Sequence, residues 1–316
     1  GDGYDTLKLT ELSNLDMVIT QNASETGSID ASGLNGSSVN QSLSYNNIEL
    51  LKLETTAGLS NHFSLQPGSS DPVRVIIDDA NTSLNYSNIT DQQLVLMANS
   101  DNSQSVTLSG GTQNDRLVGG STVNDTLHGG SGDDLMFMTT SHGIGGHDLI
   151  DGSEGFDSLI LSDLSDIQLS VTMTETGSGT MTLTDLSGST TLGTMVLSNT
   201  EIVSLSTTYG DYDYISLQNS VEDVLVVING SDTTLDYSSE TNSQVHLIAS
   251  REDNTSPITL LGGSQSDNLV GNSTGDDQLS GGTGNDYFSL SQDHFGGNDT
   301  IDGGDGSDNI HLSQLS

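Results

Sequence analysis

The chain contains no cysteine and no tryptophan, only 3 prolines, and only 5 Lys or Arg residues against 44 Asp or Glu. Each shortage excludes something. Without cysteine, stability must come from something other than disulfides. So little proline beside 37 glycines argues for ordered turns rather than a disordered linker. Hydrophobic residues make up 31%, too few for a thick conventional core, so burial must be thin and distributed. No apolar run approaches the roughly 18 residues of a membrane span. No long segment carries 3.6-residue periodicity with caps, so helix content should be low. The net charge of −39 repels nucleic-acid phosphates and anionic membrane surfaces. A compact chain so charged would also repel itself unless cations bind, and carboxylate and carbonyl oxygens suit hard divalent metals. The alternative is a solvated acidic surface, so the placement of the acids must decide. Residue 1 falls inside a motif and no initiator Met or signal peptide precedes it; the expectation is an excised piece of a larger protein.

What is present is an internal repeat. VRVIIDDANTSLNYS from Val73 returns as VLVVINGSDTTLDYS from Val224, and LSGGTQNDRLVGG from Leu108 as LLGGSQSDNLVGN from Leu260. NNIELLKL from Asn46 matches SNTEIVSL from Ser198, and GDGYDTLKLTELS from Gly1 matches SEGFDSLILSDLS from Ser153 and GDGSDNIHLSQLS from Gly304. The offsets are 151 or 152 residues throughout. The chain is two copies of one unit plus the start of a third. Each unit has a Ser/Thr/Val/Leu/Ile-rich part, residues 10–109 and 162–261, and a Gly/Asp-rich part, residues 110–161 and 262–316; residues 1–9 end a preceding Gly/Asp-rich block. Short apolar runs such as Val75–Ile77, Leu94–Met97 and Val245–Ile248, separated by Asn, Ser, Asp and Gly clusters, predict short strands.

The Gly/Asp-rich parts follow the template G-G-x-G-x-D-x-U-x, with U a large apolar residue. The aspartates are Asp115, Asp125, Asp134, Asp148 and Asp157, then Asp267, Asp277, Asp286, Asp299 and Asp308. The U positions are Leu117, Leu127, Met136, Ile150 and Leu159, then Leu269, Leu279, Phe288, Ile301 and Ile310. Paired glycines permit a tight turn that points backbone carbonyls inward. The aspartate adds an anionic oxygen, and x-U-x makes a strand with one inward apolar residue. Two motifs complete one coil of a flattened spiral. Coils stacked about 4.8 Å apart would bring carbonyls and carboxylates together, and Ca²⁺ takes about 6–8 such oxygens. Without the ion an aspartate ladder repels itself, so folding should be coupled to metal binding. The candidate calcium ligands are these aspartates with the turn glycines Gly110, Gly111, Gly119, Gly120, Gly129, Gly130, Gly132 and Gly155, and Gly262, Gly263, Gly281, Gly282, Gly284, Gly303, Gly304 and Gly306, together with Asp5. Asp151 and Asp302, just after U, either cap the turn or bind metal. Glu154, Asp2 and Asp305 share one turn position, as further ligands or as solvated carboxylates.

These blocks resemble the RTX (repeats-in-toxin) nonapeptides, over about a third of the chain. The resemblance implies calcium-filled parallel β-rolls, type I secretion and an extracellular location. There are departures: Gln113 and Gln265 replace a glycine, Asn272 replaces a leading glycine, Gly119–Asp125 and Gly271–Asp277 carry an extra residue, and longer excursions follow Met136 and Phe288. Sites beside them are expected to be weak or empty. The intervening segments resemble, more loosely, the β-solenoid parts of RTX-containing surface-layer proteins and giant adhesins. The expected fold is all-β, a right-handed parallel β-solenoid with calcium-binding β-roll blocks. A separate β-sandwich for residues 10–109 and 162–261 is the alternative, disfavoured because the apolar runs pass into the Gly-Gly motifs without a linker and on the expectation that no hairpin signal such as Asn-Gly stands between alternating strands.

GNSTG at Gly271–Gly275 fits the G-x-S-x-G pattern of hydrolases, but the other copy reads GGSTV and the match lies inside a turn motif. The histidines form no H-E-x-x-H, and His147 stands where the second copy has Asn298. No regular Thr-x-Thr ladder or aromatic platform points to a carbohydrate- or ice-binding tip. The reading is therefore a non-enzymatic, calcium-stabilised module of a large secreted bacterial cell-surface protein: surface layer, sheath or giant adhesin. Its expected partners are calcium, neighbouring repeats and copies of itself in a lattice or fibre, with no nucleic acid and no membrane insertion. The rival reading is a secretion and folding module of an extracellular toxin or hydrolase.

Overall fold

The computed structural model describes residues 5–12, 15–23, 26–33, 40–46, 50–55, 61–66, 73–78, 82–90, 93–98, 105–120, 123–139, 145–164, 166–175, 178–200, 202–207, 213–218, 224–228, 233–242, 244–249, 257–271, 275–291 and 297–313. Among them there is no helix. They fall into two compact units, Gly1–Leu159 with Ser198–Thr200 and Ile160–Leu197 with Glu201–Ser316.

Unit 1 contains β1 (Thr6–Leu12), β2 (Leu15–Ala23), β3 (Thr26–Gly33), β4 (Asn40–Asn46), β5 (Leu50–Thr55), β6 (Asn61–Gln66), β7 (Val73–Asp78), β8 (Thr82–Asn85), β9 (Leu94–Ala98), β10 (Val106–Ser109), β11 (Arg116–Val118), β12 (Thr126–Ser131), β13 (Leu135–Thr139) and β14 (Gly146–Glu154). From β5 onward successive strands alternate between two sheets, ordered β1-β5-β7-β9-β11-β13 and β14-β12-β10-β8-β6-β2-β3-β4. Pairing is parallel along the coils, as a solenoid requires. It continues unbroken from β8 through β10 to β12, across the junction at residues 109 and 110.

Parallel register stacks like on like. Leu84, Leu108, Leu127 and Ile150 align in one sheet, and Leu96, Leu117 and Met136 in the other. All are fully buried. Strands such as β9 alternate buried and half-buried residues, so each coil contributes a few inward side chains. This is how a chain with so little apolar content makes a core.

Unit 2 repeats the plan with β15 (Ser158–Leu164), β16 (Ile167–Glu175), β17 (Ser178–Asp185), β18 (Thr191–Ser198), β19 (Ile202–Thr207), β20 (Asp213–Gln218), β21 (Val224–Ile228), β22 (Thr233–Asp236), β23 (Val245–Ala249), β24 (Thr259–Leu261), β25 (Asn268–Val270), β26 (Gln278–Ser280), β27 (Tyr287–Ser291), β28 (Thr300–Asp302) and β29 (Asn309–Ser313). Its orders are β15-β19-β21-β23-β25-β27-β29 and β28-β26-β24-β22-β20-β16-β17-β18. Leu247, Leu269, Phe288 and Ile310 align in one sheet, and Leu235, Leu260, Leu279 and Ile301 in the other.

One part of each unit departs from a pure parallel solenoid. β2, β3 and β4 form an antiparallel meander, and so do β16, β17 and β18, while β2 and β16 also pair in parallel with β6 and β20. The expectation that no hairpin signal such as Asn-Gly sits between alternating strands is corrected here: antiparallel hairpins are present, and Asn35-Gly36 lies between β3 and β4. The meander buries Met17, Ile19 and Ile29 in unit 1, and Leu169, Val171, Met181, Leu183, Met195 and Leu197 in unit 2. On its outer face Thr180, Thr182 and Thr184 do follow Thr-x-Thr spacing, with Thr182 opposite Thr194, but on one antiparallel strand rather than on successive coils.

Candidate metal centre

The Gly/Asp turns lie in two stacks per unit, one on each side of the coil. In unit 1 the stack leading into β11 and β13 carries Asp115, Asp134 and Asp157, and the opposite stack carries Asp125 and Asp148. The aspartates stand above one another through their own backbone: the N–H groups of Leu135, Leu149 and Ser158 donate to the carbonyls of Asp115, Asp125 and Asp134 at 2.9, 2.9 and 3.0 Å. Each Oδ1 then accepts the N–H of the aligned residue one coil before. Leu94 donates to Asp115 (2.8 Å), Asp115 to Asp134 (2.7 Å) and Asp134 to Asp157 (2.7 Å). Opposite, Val106 donates to Asp125 (2.9 Å) and Asp125 to Asp148 (2.8 Å). Unit 2 repeats both ladders, Val245–Asp267–Asp286–Asp308 at 2.9, 2.8 and 3.0 Å, and Ile258–Asp277–Asp299 at 3.1 Å for each bond.

The second carboxylate oxygen distinguishes the turns. In the first turn of each main stack, Oδ2 of Asp115 and Asp267 accepts the N–H of Gly111 and Gly263, both at 2.6 Å. One turn down, the equivalent glycines Gly130 and Gly282 have φ of +115° and +97°. Oδ2 of Asp134 and Asp286 is buried with no hydrogen-bond partner, and so is Oδ2 of Asp148 in the opposite stack. A buried carboxylate oxygen left so costs free energy. Burial pushes Asp134 up to about 8, against the N–H of Asp115 and helped by the charges of Asp115, Asp157 and Asp133. Burial and the charge of Asp125 push Asp148 up to about 7. The first-turn Asp115 and Asp267, also raised chiefly by burial, reach only about 6. Burial, then the neighbouring Asp308 and Asp276, raise Asp286 and Asp299.

What faces these oxygens is more oxygen. A β-carbon placed on Gly129 would lie 2.3 Å from Asp134 Oδ2 and 2.7 Å from the Gly152 carbonyl oxygen of the next coil; on Gly281, the distances to Asp286 Oδ2 and Gly303 O would be 2.1 and 2.7 Å. Carboxylate and carbonyl oxygens thus converge over the leading glycine, a space that any side chain would fill. Among the described residues no three Asp, Glu, His or Cys side chains converge on one point. A cation here would take backbone carbonyls for much of its shell, and an all-oxygen donor set of this kind suits Ca²⁺.

The remaining candidates divide. Gly110, Gly119, Gly120 and Gly262 are buried in the turns. Gly132, Gly155, Gly284, Gly304 and Gly306 stack over carbonyls of the preceding coil. Asp151 is drawn elsewhere: Asn199 Nδ2 donates to it at 2.9 Å and His128 lies 3.5 Å away. Burial raises its carboxyl, but these partners and Ser198 outweigh that and hold it below the usual range. Asp302 is exposed and caps its turn by accepting the Gly304 N–H at 3.2 Å. Glu154 and Asp305 are exposed and meet the stack through their carbonyls, which accept Gly132 and Gly284 N–H at 2.8 and 2.9 Å. Asp5 is half-buried just before β1. Asp2, Asn272 and most of the excursions after Met136 and Phe288 lie outside the described residues. His147 is exposed, and its N–H donates to Asn124 Oδ1 (3.0 Å) as Asn298 N–H does to Asp276 Oδ1 (2.8 Å).

Two features escaped the sequence reading. The residue before each ligand-type aspartate forms an outer ladder, in which Asn114 accepts from Asp133 N–H, Asp133 from Phe156 N–H and Asn285 from Ser307 N–H at 3.0, 3.0 and 2.9 Å. The recurrence of Asn, Asp or Ser there was its signal. Above each first turn, paired glutamines span the coils: Gln113 Nε2 donates to Thr90 O (2.9 Å) while Gln93 Nε2 donates to Asn114 O (2.6 Å). Gln265 and Gln244 do the same to the carbonyls of Thr241 and Ser266.

A family model described as the RTX calcium-binding nonapeptide repeat (4 copies) matches residues 102–122, 109–137, 142–163, 261–294 and 296–314. No curated protein matches the chain at a significant level. The match falls on the stacks just described, and in these blocks the chain is similar to the RTX calcium-binding nonapeptide repeat family.

Proposed function

We propose that the chain is a calcium-stabilised structural module of a large secreted bacterial cell-surface protein, of the surface-layer, sheath or giant-adhesin type. Calcium ions sit between successive Gly/Asp turns, held by Asp134, Asp148 and Asp157 in unit 1, by Asp286, Asp299 and Asp308 in unit 2, and by carbonyls of the glycine turns. Asp115 and Asp267, hydrogen-bonded within their own turns, stand at the edge of each stack. When bound, the ion supplies positive charge where buried carboxylates otherwise face one another.

The observation that carries this reading is the partnerless, buried Oδ2 of Asp134, Asp148 and Asp286, in turns repeated in register along each unit. A tandem repeat whose stacked coils need only cations to close is suited to building length and stiffness outside the cell, where calcium is plentiful. The test is circular dichroism and metal stoichiometry on the full chain. In millimolar calcium the spectrum is expected to be β-rich with several ions bound, and after chelation much of that signal is lost. An unchanged spectrum and melting temperature after chelation would end the proposal.

A further inference from the structure

Four of the 5 Lys and Arg residues of this acidic chain fall on one stretch of one sheet in unit 1. Lys8 of β1 stands opposite Lys52 of β5, and that row continues through Ile76 and Met97 to Val118 and Phe137. In the neighbouring row Arg74 and Arg116 stand on either side of Val95, with Leu135 beyond. Both rows are out of phase with the buried Val75, Leu96, Leu117 and Met136, so they occupy outer-face positions. Lys8 and Arg116 are exposed, Val95, Met97 and Val118 are half-buried, and the Arg116 guanidinium lies 4.2 Å from the centre of the Phe137 ring. No acid stands in this stretch; Glu54 and Asp78 pair at the far ends of β5 and β7 and bound it. Arginine, methionine and phenylalanine without carboxylates resemble the centre of a protein interface more than a solvated surface. Like charges on neighbouring strands also repel, which an anionic partner would relieve.

The other sheet of unit 1 carries the complement. On the outer face of its meander Val18 stands opposite Asp30 and Asp16 opposite Ser32, out of phase with the buried Met17, Ile19 and Ile29. Asp30 is exposed, and Asp16 and Val18 are half-buried. Asp16 and Asp30 are diagonal neighbours, about 7–8 Å apart. Arg74 and Arg116 lie two strands apart, about 10 Å, a difference that long side chains span. The two faces also change together. Unit 2 has Ile160, Ser204, Leu225 and Asn268 in place of the four cations, and Gln168 and Thr182 in place of Asp16 and Asp30. Where the cations are missing, so are these acids. The outer faces of the two sheets point away from one another across the core, so these groups cannot meet within one molecule. We propose that the Arg74/Arg116 face of unit 1 docks side by side on the Asp16/Asp30 face of unit 1 in a second copy, with arginine–carboxylate pairs around an apolar centre. The contact uses the flank of the coils rather than a strand edge, so it does not depend on which strands precede or follow. Because the two faces differ, it is heterologous and each added copy offers the same face again. The inference rests on the reading of this chain as a structural module and names its partner as another copy.

The test is sedimentation velocity of the full chain in calcium over a range of concentrations. The native chain should form species larger than the monomer. The double variants Arg74→Glu with Arg116→Glu, and Asp16→Lys with Asp30→Lys, should each weaken self-association by ~10-fold or more. An equimolar mixture of the two should restore it, since each native face then finds its native partner and each reversed face a reversed one. Arg74→Leu with Arg116→Asn, and Asp16→Gln with Asp30→Thr, carry the letters that unit 2 itself uses. They should weaken association too, and they cover the event that a charge-reversed variant misfolds, as judged by its spectrum in calcium. A native chain monomeric at every concentration overturns the proposal, and so does a mixture of reversed variants that stays dissociated. Dextran sulfate bound by the native chain, with association untouched by the Asp16/Asp30 variants, places an anionic polymer on the arginine face and overturns the second copy. Failure of the calcium reading appears separately, as a native spectrum indifferent to chelation.

Discussion

Within one stack, the first turn and the turn beneath it are built from the same letters and come out differently. Asp115 and Asp134 both end a turn that opens with Gly-Gly, and both accept a backbone N–H through Oδ1. Asp115 also receives Gly111 N–H on Oδ2, whereas Asp134 receives nothing there. Above the first turn lies a different closure, in which Asn85 Oδ1 accepts Ser87 N–H and Oγ–H at 3.1 and 2.8 Å, Ile89 N–H returns to Tyr86 O at 2.9 Å, and Tyr86 fills the core. Asp236, Ser238, Glu240 and Tyr237 do the same in unit 2. A turn can thus close with both carboxylate oxygens hydrogen-bonded or with one left over. The chain changes from one to the other after Asp115 and Asp267.

The broadest way to break that contrast is to titrate every buried carboxylate at once. In the folded chain Asp134 is pushed up to about 8, Asp148 to about 7, and Asp115 and Asp267 to about 6, from an unfolded value of 3.8. A raised folded value means that the folded state holds more protons than the unfolded state through this window. The associated stability is fully present below the unfolded value and is lost as pH rises through the folded values. Calcium-free protein should therefore melt at a higher temperature near pH ~5 than near pH ~8. Calcium should raise the melting temperature most at the upper end, where the carboxylates are charged. Melting curves across this range check it, and a calcium-free stability that climbs with pH contradicts the unbalanced ladder.

A sharper comparison substitutes one turn at a time. Asp134→Asn keeps an oxygen for Asp115 N–H and replaces a partnerless oxygen by an amide that can donate. It should stabilise the calcium-free fold by about 1–3 kcal/mol, the cost of a buried unsatisfied group, while weakening calcium binding by ~10-fold or more. Asp115→Asn should behave oppositely. Both of its oxygens accept N–H groups, so whichever way the amide is turned its NH₂ meets a donor, and it should destabilise with and without calcium by about 1–3 kcal/mol. Thermal melts of both variants in calcium and in chelator decide; identical behaviour of the two would erase the distinction between the turns.

The sequence alone carried much of this. The template located the U residues, and Leu117, Leu127, Met136, Leu269 and Phe288 are all buried. It located the aspartates that the fold stacks, because one recurs in each turn and cannot drift without losing register. The meander was illegible for a physical reason: IQLSVTMTE alternates with period two, and that alternation is the same whether the partner strand runs parallel or antiparallel. Its first hairpin is joined around Glu-Thr-Gly-Ser in both units; of its second joints, that of unit 1 does carry the signal sought, Asn35-Gly36 between β3 and β4, where unit 2 has Ser187-Gly188. Nor could Gly111 be told from Gly130, since the sign of φ is set by what lies one coil above. The same holds for Asp151, whose partners Asn199 and His128 are brought to it by coil stacking rather than by sequence proximity.

The smallest expected effect concerns the boundary between the two kinds of closure. Gln113 and Gln265 stand where the template has glycine, and with Gln93 and Gln244 they place amide donors against the carbonyls of Thr90, Asn114, Thr241 and Ser266. In the next turn the place of Gln113 is taken by Gly132, which brings no amide and stacks directly over the Gln113 carbonyl. Gln113→Gly restores the template letter but adds no carboxylate, and Asp115 Oδ2 is already bonded to Gly111. The variant should therefore bind no additional calcium. It should lose about 0.5 kcal/mol, the low end of a net hydrogen bond for a group near solvent, equally in calcium and in chelator. Calorimetric stoichiometry alongside paired melts measures both quantities. An extra ion bound by Gln113→Gly would mean that the first gap is a metal site held shut by its glutamine, and that the change of closure lies one coil higher than Asp115.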